Sequence, residues 1–226
     1  MTEILAAFSS FYGLWKSFIE PAARAAGRVT TANTITVIRT FGAPIVIVLI
    51  FFDWPLAAFI LFLVSAVADS FDGAVAGARK RMGFVDNPKL GEFMDAFCDK
   101  LFFTILLVGI LPMGSYESVP LGFRGIMVVT CITLFLIELA LAGVRMSDYQ
   151  HELRMNGIEH KERLLKATAA GKLKFLLENI GVGGLVFSQP DHHHWAFYVA
   201  MTSFLLALPF ALKSLVQKLR ARRILS

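Results

Sequence analysis

Two stretches decide how this chain is read: VSAVADSFDGAVAGAR (64–79) and LGEFMDAFCDKLFF (90–103). Between them they carry Asp69, Asp72, Asp95 and Asp99 in otherwise apolar surroundings. Asp69 and Asp72 are spaced i,i+3, and Asp95 and Asp99 i,i+4, so each pair shares one face of a helix. A carboxylate inside a membrane segment is costly and as a rule faces a functional, water-filled site. Four of them crowded together as bare anions would drive one another toward protonation, unless cations lie between them. Oxygen donors of this kind suit magnesium or manganese. Four carboxylates from two helices offer enough donors for two such ions.

Working outward, the rest of the chain supplies the membrane. Of its 226 residues 56% are hydrophobic and only 17% charged, with a mean hydropathy of +0.64; soluble domains carry about 25% charge. The apolar residues fall in runs long enough to cross a bilayer, about 20 residues each. The expected fold is an all-α membrane protein with six transmembrane helices, at about 34–52, 55–78, 92–112, 120–144, 172–188 and 194–213. They form one domain over 31–226. Residues 1–30 precede it, and there Ile4, Phe8, Phe11, Trp15, Phe18 and Ile19 recur every three or four positions. That pattern predicts an amphipathic helix lying in the interface and ended by Pro21. It is not expected to be a signal peptide, because it lacks a basic start and a small-residue cleavage site.

Charge placement sets the expected topology. Lys16, Arg24, Arg28, Arg79, Lys80, Arg81, Lys89, the run from Arg145 to Lys174 and the tail from Lys213 to Arg223 fall on one side. The opposite loops, FFDWP, MGSYESVP and SQPDHHH, hold no Lys or Arg. Of 22 basic residues only Arg124 falls toward that second side. The positive-inside rule places both termini, the basic loops and the aspartates at the cytoplasmic face. The net charge of +5 reads as topology and contact with anionic headgroups, not as a nucleic-acid site. Cys98 and Cys131 lie inside apolar runs, with neither metal-type spacing nor an expected disulfide.

Several single residues carry two readings. Thr31, Asn33 and Thr34 can cap the first span; Arg39, one turn inside it, either snorkels to headgroups or pairs with an aspartate. Small residues are dense over 66–78, which allows close helix approach and leaves room for a ligand. Glu138 is expected to pair with a neighbour on its own helix, with a pocket role as the alternative. Asn87-Pro88 marks a turn, 145–171 is expected to hold a short surface helix, and His192–His194 form a solvated loop rather than a metal tract.

The ordered set Asp69-x2-Asp72-Gly73-x2-Ala76 and Gly91-x3-Asp95-x3-Asp99 resembles the signature of the CDP-alcohol phosphotransferases, over about 30–112. Gly171-Lys172-Leu173-Lys174, and Asn33-Thr34-Ile35-Thr36 with Arg39 and Pro44, resemble the phosphatidylglycerophosphate synthase branch. Two departures stand out. Gly77 occupies the position where the family has arginine, and the spacer before Gly91 is longer. The resemblance implies transfer of a phosphatidyl group from CDP-diacylglycerol to a small alcohol with release of CMP, in phospholipid biosynthesis. The favoured acceptor is glycerol 3-phosphate, with inositol phosphate or another alcohol as alternatives. It also implies Mg2+ or Mn2+, as two ions, on Asp69, Asp72, Asp95 and Asp99, with Asp99 completing the second metal or serving as general base. Gly73, Ala76 and Gly91 would border the nucleotide, Arg79 would stand in for the missing arginine, and a homodimer is implied as well. Arg145, Lys172 and Lys174 are candidates for an acceptor phosphate, or equally are positive-inside charge at helix ends.

Two other classes remain at this stage. A cation or proton carrier would also use membrane carboxylates, but these cluster near one surface and no Gly/Pro-broken repeat accompanies them. A silent membrane scaffold would tolerate the loss of any one aspartate.

Overall fold

The computed structural model describes residues 18–84, 87–113, 119–154, 169–189 and 193–223. These form seven helices: α1 (18–29), α2 (Ala32–Phe51), α3 (Pro55–Arg81), α4 (Pro88–Ile110), α5 (Leu121–Arg154), α6 (Ala169–Phe187) and α7 (His194–Arg223). No strand occurs among the described residues.

Four helices are long and apolar enough to cross a membrane: α2, α3, α5 over Leu121–Gln150 and α7 over His194–Arg220. This makes the chain an integral membrane protein. The other two expected spans, α4 and α6, form as helices but carry more internal charge, namely Asp95, Asp99 and Lys100 in one and Lys172, Lys174 and Glu178 in the other. The lipid-compatible exterior is plain on α2, where Ile38, Phe41, Ile45 and Val48 point outward, and on α5, where Val129, Ile132, Leu136 and Leu139 do. Such an apolar outer face is unfavourable in water and normal against hydrocarbon.

Helix ends follow local chemistry. Thr31 caps α2, its Oγ1 accepting from the Thr34 N–H at 3.2 Å. Asn87 does the same for α4 through the Leu90 N–H at 3.2 Å, with Pro88 as first helical residue, where its missing N–H costs nothing. At the other end of α3, Gly83 takes φ +85°. Its N–H reaches Lys80 O at 3.2 Å and the Phe84 N–H reaches Arg79 O at 3.1 Å. That pairing is a Schellman stop, and it needs a residue without Cβ strain at positive φ.

Three boundaries depart from expectation. α1 runs through Pro21 to residue 29 instead of stopping there; the following Ala22-Ala23-Arg24-Ala25-Ala26 are strong helix formers, and Arg24 pairs with Glu20 at 3.0 Å one turn back. The expected amphipathic stretch over 1–17 lies outside the described residues. α5 continues ten residues past the expected end at 144, absorbing the start of the expected surface helix, because VRMSDYQHELR holds no Gly or Pro to stop it. The remainder, 155–168, lies outside the described residues. α7 likewise runs on to Arg223 through KSLVQKLRARR.

The main core lies between α2, α3, α4, α5, α6 and α7 and is built from Phe62, Phe102, Phe103, Leu106, Leu134, Leu185, Phe197 and Phe204. Phe62 stacks on Phe102 at 6.3 Å and Phe103 meets Phe204 edge-on at 6.2 Å. α6 and α7 approach so closely that a Cβ on Gly184 would sit 2.9 Å from Ala196 O. A smaller core docks α1 on the end of α3 through Ile19, Ala23, Ala74, Val75 and Ala78. Cys98 and Cys131 are free and buried.

Candidate active site

α2, α3 and α4 meet at one end of the bundle, and the aspartates lie at that junction. There the side of α3 that bears Asp69 comes together with the side of α4 that bears Asp95 and Asp99. Asp69, Asp95 and Asp99 bring carboxylate oxygens within 4.8 Å of one another. Asp95 is the most open, its side chain 53% exposed. Asp72 does not belong to that trio: it is buried and accepts a hydrogen bond from Thr36 Oγ1 at 2.7 Å.

Arg39 settles its own two readings. Its side chain is 3% exposed and turned inward, with Nη1 donating to Asp69 and Nη2 to Asp99, and it lies 4.0 Å from Asp95. Pairing wins over snorkelling because a buried guanidinium needs carboxylate partners. Thr36 had been visible only as part of a motif. Its role follows from its i,i+3 spacing to Arg39, which puts both on the buried stripe of α2.

Around the trio the structure sorts the other candidates. A Cβ on Gly73 would meet nothing within 4 Å, and Ala76 one turn on is exposed, so this face of α3 borders open space. At Gly91 a Cβ would lie 3.4 Å from Asn33 Oδ1, so glycine lets the first turns of α4 and α2 close up. Arg79 is engaged with α1: its Nη1 donates to Gly27 O at 2.8 Å and Thr30 O at 3.3 Å, and its guanidinium lies 4.3 Å over the Phe84 ring. Arg145 on α5 is near enough to Asp95 for their charges to interact, and its buried Nε has no hydrogen-bond partner. Phe93 stacks on Tyr149 at 4.4 Å, pinning the start of α4 to this part of α5.

Glu138 overturns its expected pairing. Its partners are not on its own helix: Lys100 of α4 donates to it at 2.6 Å, and Lys174 of α6 donates to its other oxygen. Lys174 also lies 3.3 Å from Glu178. This buried tetrad takes Lys174 into helix packing, whereas the side chain of Lys172 lies outside the described residues. Glu178 had gone unnoticed in the sequence, although its i,i+4 spacing from Lys174 was the available signal.

The donor set fits a hard divalent cation: three carboxylates from two helices converge, a fourth stands one turn away, and a single buried guanidinium offsets their charge. The CDP-alcohol phosphatidyltransferase family model matches residues 29–212, which takes in every helix from α2 to most of α7. The chain belongs to that family, as a transferase that moves a phosphatidyl group from a CDP-alcohol to an alcohol. No curated protein and no solved structure matches it.

Proposed function

We propose that the chain moves the phosphatidyl group of CDP-diacylglycerol to a small alcohol, glycerol 3-phosphate first and inositol phosphate next, releasing CMP. The observation that carries this is the convergence of Asp69, Asp95 and Asp99 beside the open face at Gly73 and Ala76. Asp69, Asp72, Asp95 and Asp99 would hold Mg2+ or Mn2+, two ions by resemblance. When bound, these ions supply neutralisation of the charge on the diphosphate.

The chain's own groups do the rest. The acceptor hydroxyl oxygen bonds to the phosphatidyl phosphorus, the bond from that phosphorus to the bridging oxygen breaks, and CMP departs with that oxygen. The hydroxyl proton passes to Asp99 as general base. Gly73, Ala76 and Gly91 leave room for the cytidine nucleotide. Arg79 is one turn past Ala76, but its guanidinium is held by Gly27 O, Thr30 O and the Phe84 ring, so it would reach the nucleotide only by leaving them. Arg145, with its unpartnered Nε, and Lys172 suit an acceptor phosphate; the two glutamates around Lys174 leave it less charge to offer. The asymmetry of basic loops supports a site at the cytoplasmic face of the plasma or inner membrane.

The test is a panel of labelled acceptors with CDP-diacylglycerol and Mg2+ or Mn2+. Cation-dependent CMP release with glycerol 3-phosphate is the expected result; release with another acceptor alone would reassign the acceptor, and cation flux without CMP would overturn the reading.

A further inference from the structure

Arg39 touches the same three carboxylates that converge as a donor set. Nη1 meets Asp69, Nη2 meets Asp99, and Asp95 lies 4.0 Å from Nη2. Its buried Nε has no partner, so the guanidinium is fixed by the aspartates themselves and not by a complete ring of hydrogen bonds. Resting on the metal reading above, we propose that Arg39 is a built-in counter-cation. It holds Asp69, Asp95 and Asp99 together while no divalent ion is bound, and it competes with the ion for their oxygens.

The helix geometry makes this role specific. Thr36 and Arg39 share one stripe of α2, with Ala43 and Val46 continuing it into the core. From that stripe Thr36 fixes Asp72 and Arg39 fixes the trio. One unit of positive charge against four carboxylates lessens their repulsion without cancelling it. A divalent ion at similar distance interacts about twice as strongly, so it can draw oxygens away from the guanidinium. Arg39 is thus a positioning residue, setting both how well the empty site holds its shape and how tightly it takes an ion.

The full chain in detergent micelles tests this as wild type, Arg39→Gln and Arg39→Lys. Two quantities are read: the thermal midpoint in EDTA, and the Mn2+ dissociation constant from the spin-resonance signal of free Mn2+. Arg39→Gln is expected to lower the metal-free midpoint, to enlarge the rise that Mn2+ produces, and to tighten Mn2+ binding by about tenfold. Arg39→Lys, which keeps the charge but loses the two-armed contact, is expected to fall between. Mn2+ binding in Arg39→Gln that is equal to or weaker than wild type overturns the proposal. Where Arg39→Gln does not fold without metal, Arg39→Lys decides: an affinity no tighter than wild type overturns it equally. A wild-type chain that binds no Mn2+ removes the metal reading itself, whereas binding indifferent to residue 39 removes only the role given to Arg39.

Discussion

Two clusters of charge are buried in this helical bundle, and they are built on opposite principles. The tetrad of Lys100, Glu138, Lys174 and Glu178 has two acids and two bases, is closed off from solvent, and ties α4, α5 and α6 together. The aspartate cluster sets four acids against one buried arginine and stays open at Asp95 and along the Gly73 face. A balanced cluster finds its counter-charges within the fold, although Glu178 Oε1 is left there without a hydrogen-bond partner. An unbalanced and accessible one suits an external cation, and that imbalance is what supports reading it as the reactive centre of the proposed function.

The difference can be broken most forcefully at the acids. Asp95→Asn and Asp99→Asn should each remove CMP release, by roughly a thousandfold or more, on the scale of losing electrostatic stabilisation in a transition state. Their elution and melting in detergent should stay close to wild type. Near wild-type CMP release would dissolve the distinction between the clusters. The tetrad should respond the other way. Glu138→Ala leaves Lys100 without its carboxylate and Lys174 with Glu178 alone, and should cost about 3–5 kcal/mol of stability, seen as a lower thermal midpoint. Changing all four members, Lys100, Glu138, Lys174 and Glu178, to Met, Leu, Met and Leu should recover much of that loss, because no charge is then left uncompensated inside the bundle.

Gly184→Ala separates packing from charge altogether. It would place a Cβ 2.9 Å from Ala196 O, against backbone that cannot swing aside, and should cost about 1–3 kcal/mol while leaving the Mn2+ affinity unchanged. The smallest effect belongs to a solvated pair. The hydrogen bond from Arg24, followed by the contact with Arg81, holds the Glu20 carboxyl below its usual range. A depressed carboxyl contributes at neutral pH, and its contribution is lost as pH falls through the folded-state value. Hydrogen-exchange protection factors in α1, taken relative to the slower intrinsic exchange in acid, should therefore fall on acidification. In Glu20→Gln that acid-induced change should shrink, with activity at pH 7 unchanged.

Much of this was legible in the residues because hydrophobic runs and turn chemistry are local. The turns near Asp53 and Asn87-Pro88, the Thr31 cap and the spacing of the four aspartates could all be read directly. The ends of α5 and α7 could not, since hydropathy falls where a helix leaves apolar surroundings even though the backbone stays helical. Helix α1 accommodates Pro21 because proline lies in the first turn of the described helix, where its missing N–H costs little, and alanines follow it. Glu138 was misassigned because its partners are 38 and 36 residues away in sequence, beyond any same-helix rule. The choice at Arg39 likewise depended on which face of α2 turned inward, a tertiary fact. Asp72 shared its motif with the others, yet the proximity of Thr36 gave it a separate partner.

The Schellman stop at Gly83 and the Asn87 cap have a practical outcome. Because α3 ends and α4 begins on capping bonds of their own, the approach of Asp69 to Asp99 is expected to survive a longer connection between them. Residues could be added there, or the polypeptide divided into two co-expressed pieces, and the halves would still find one another through their packed faces.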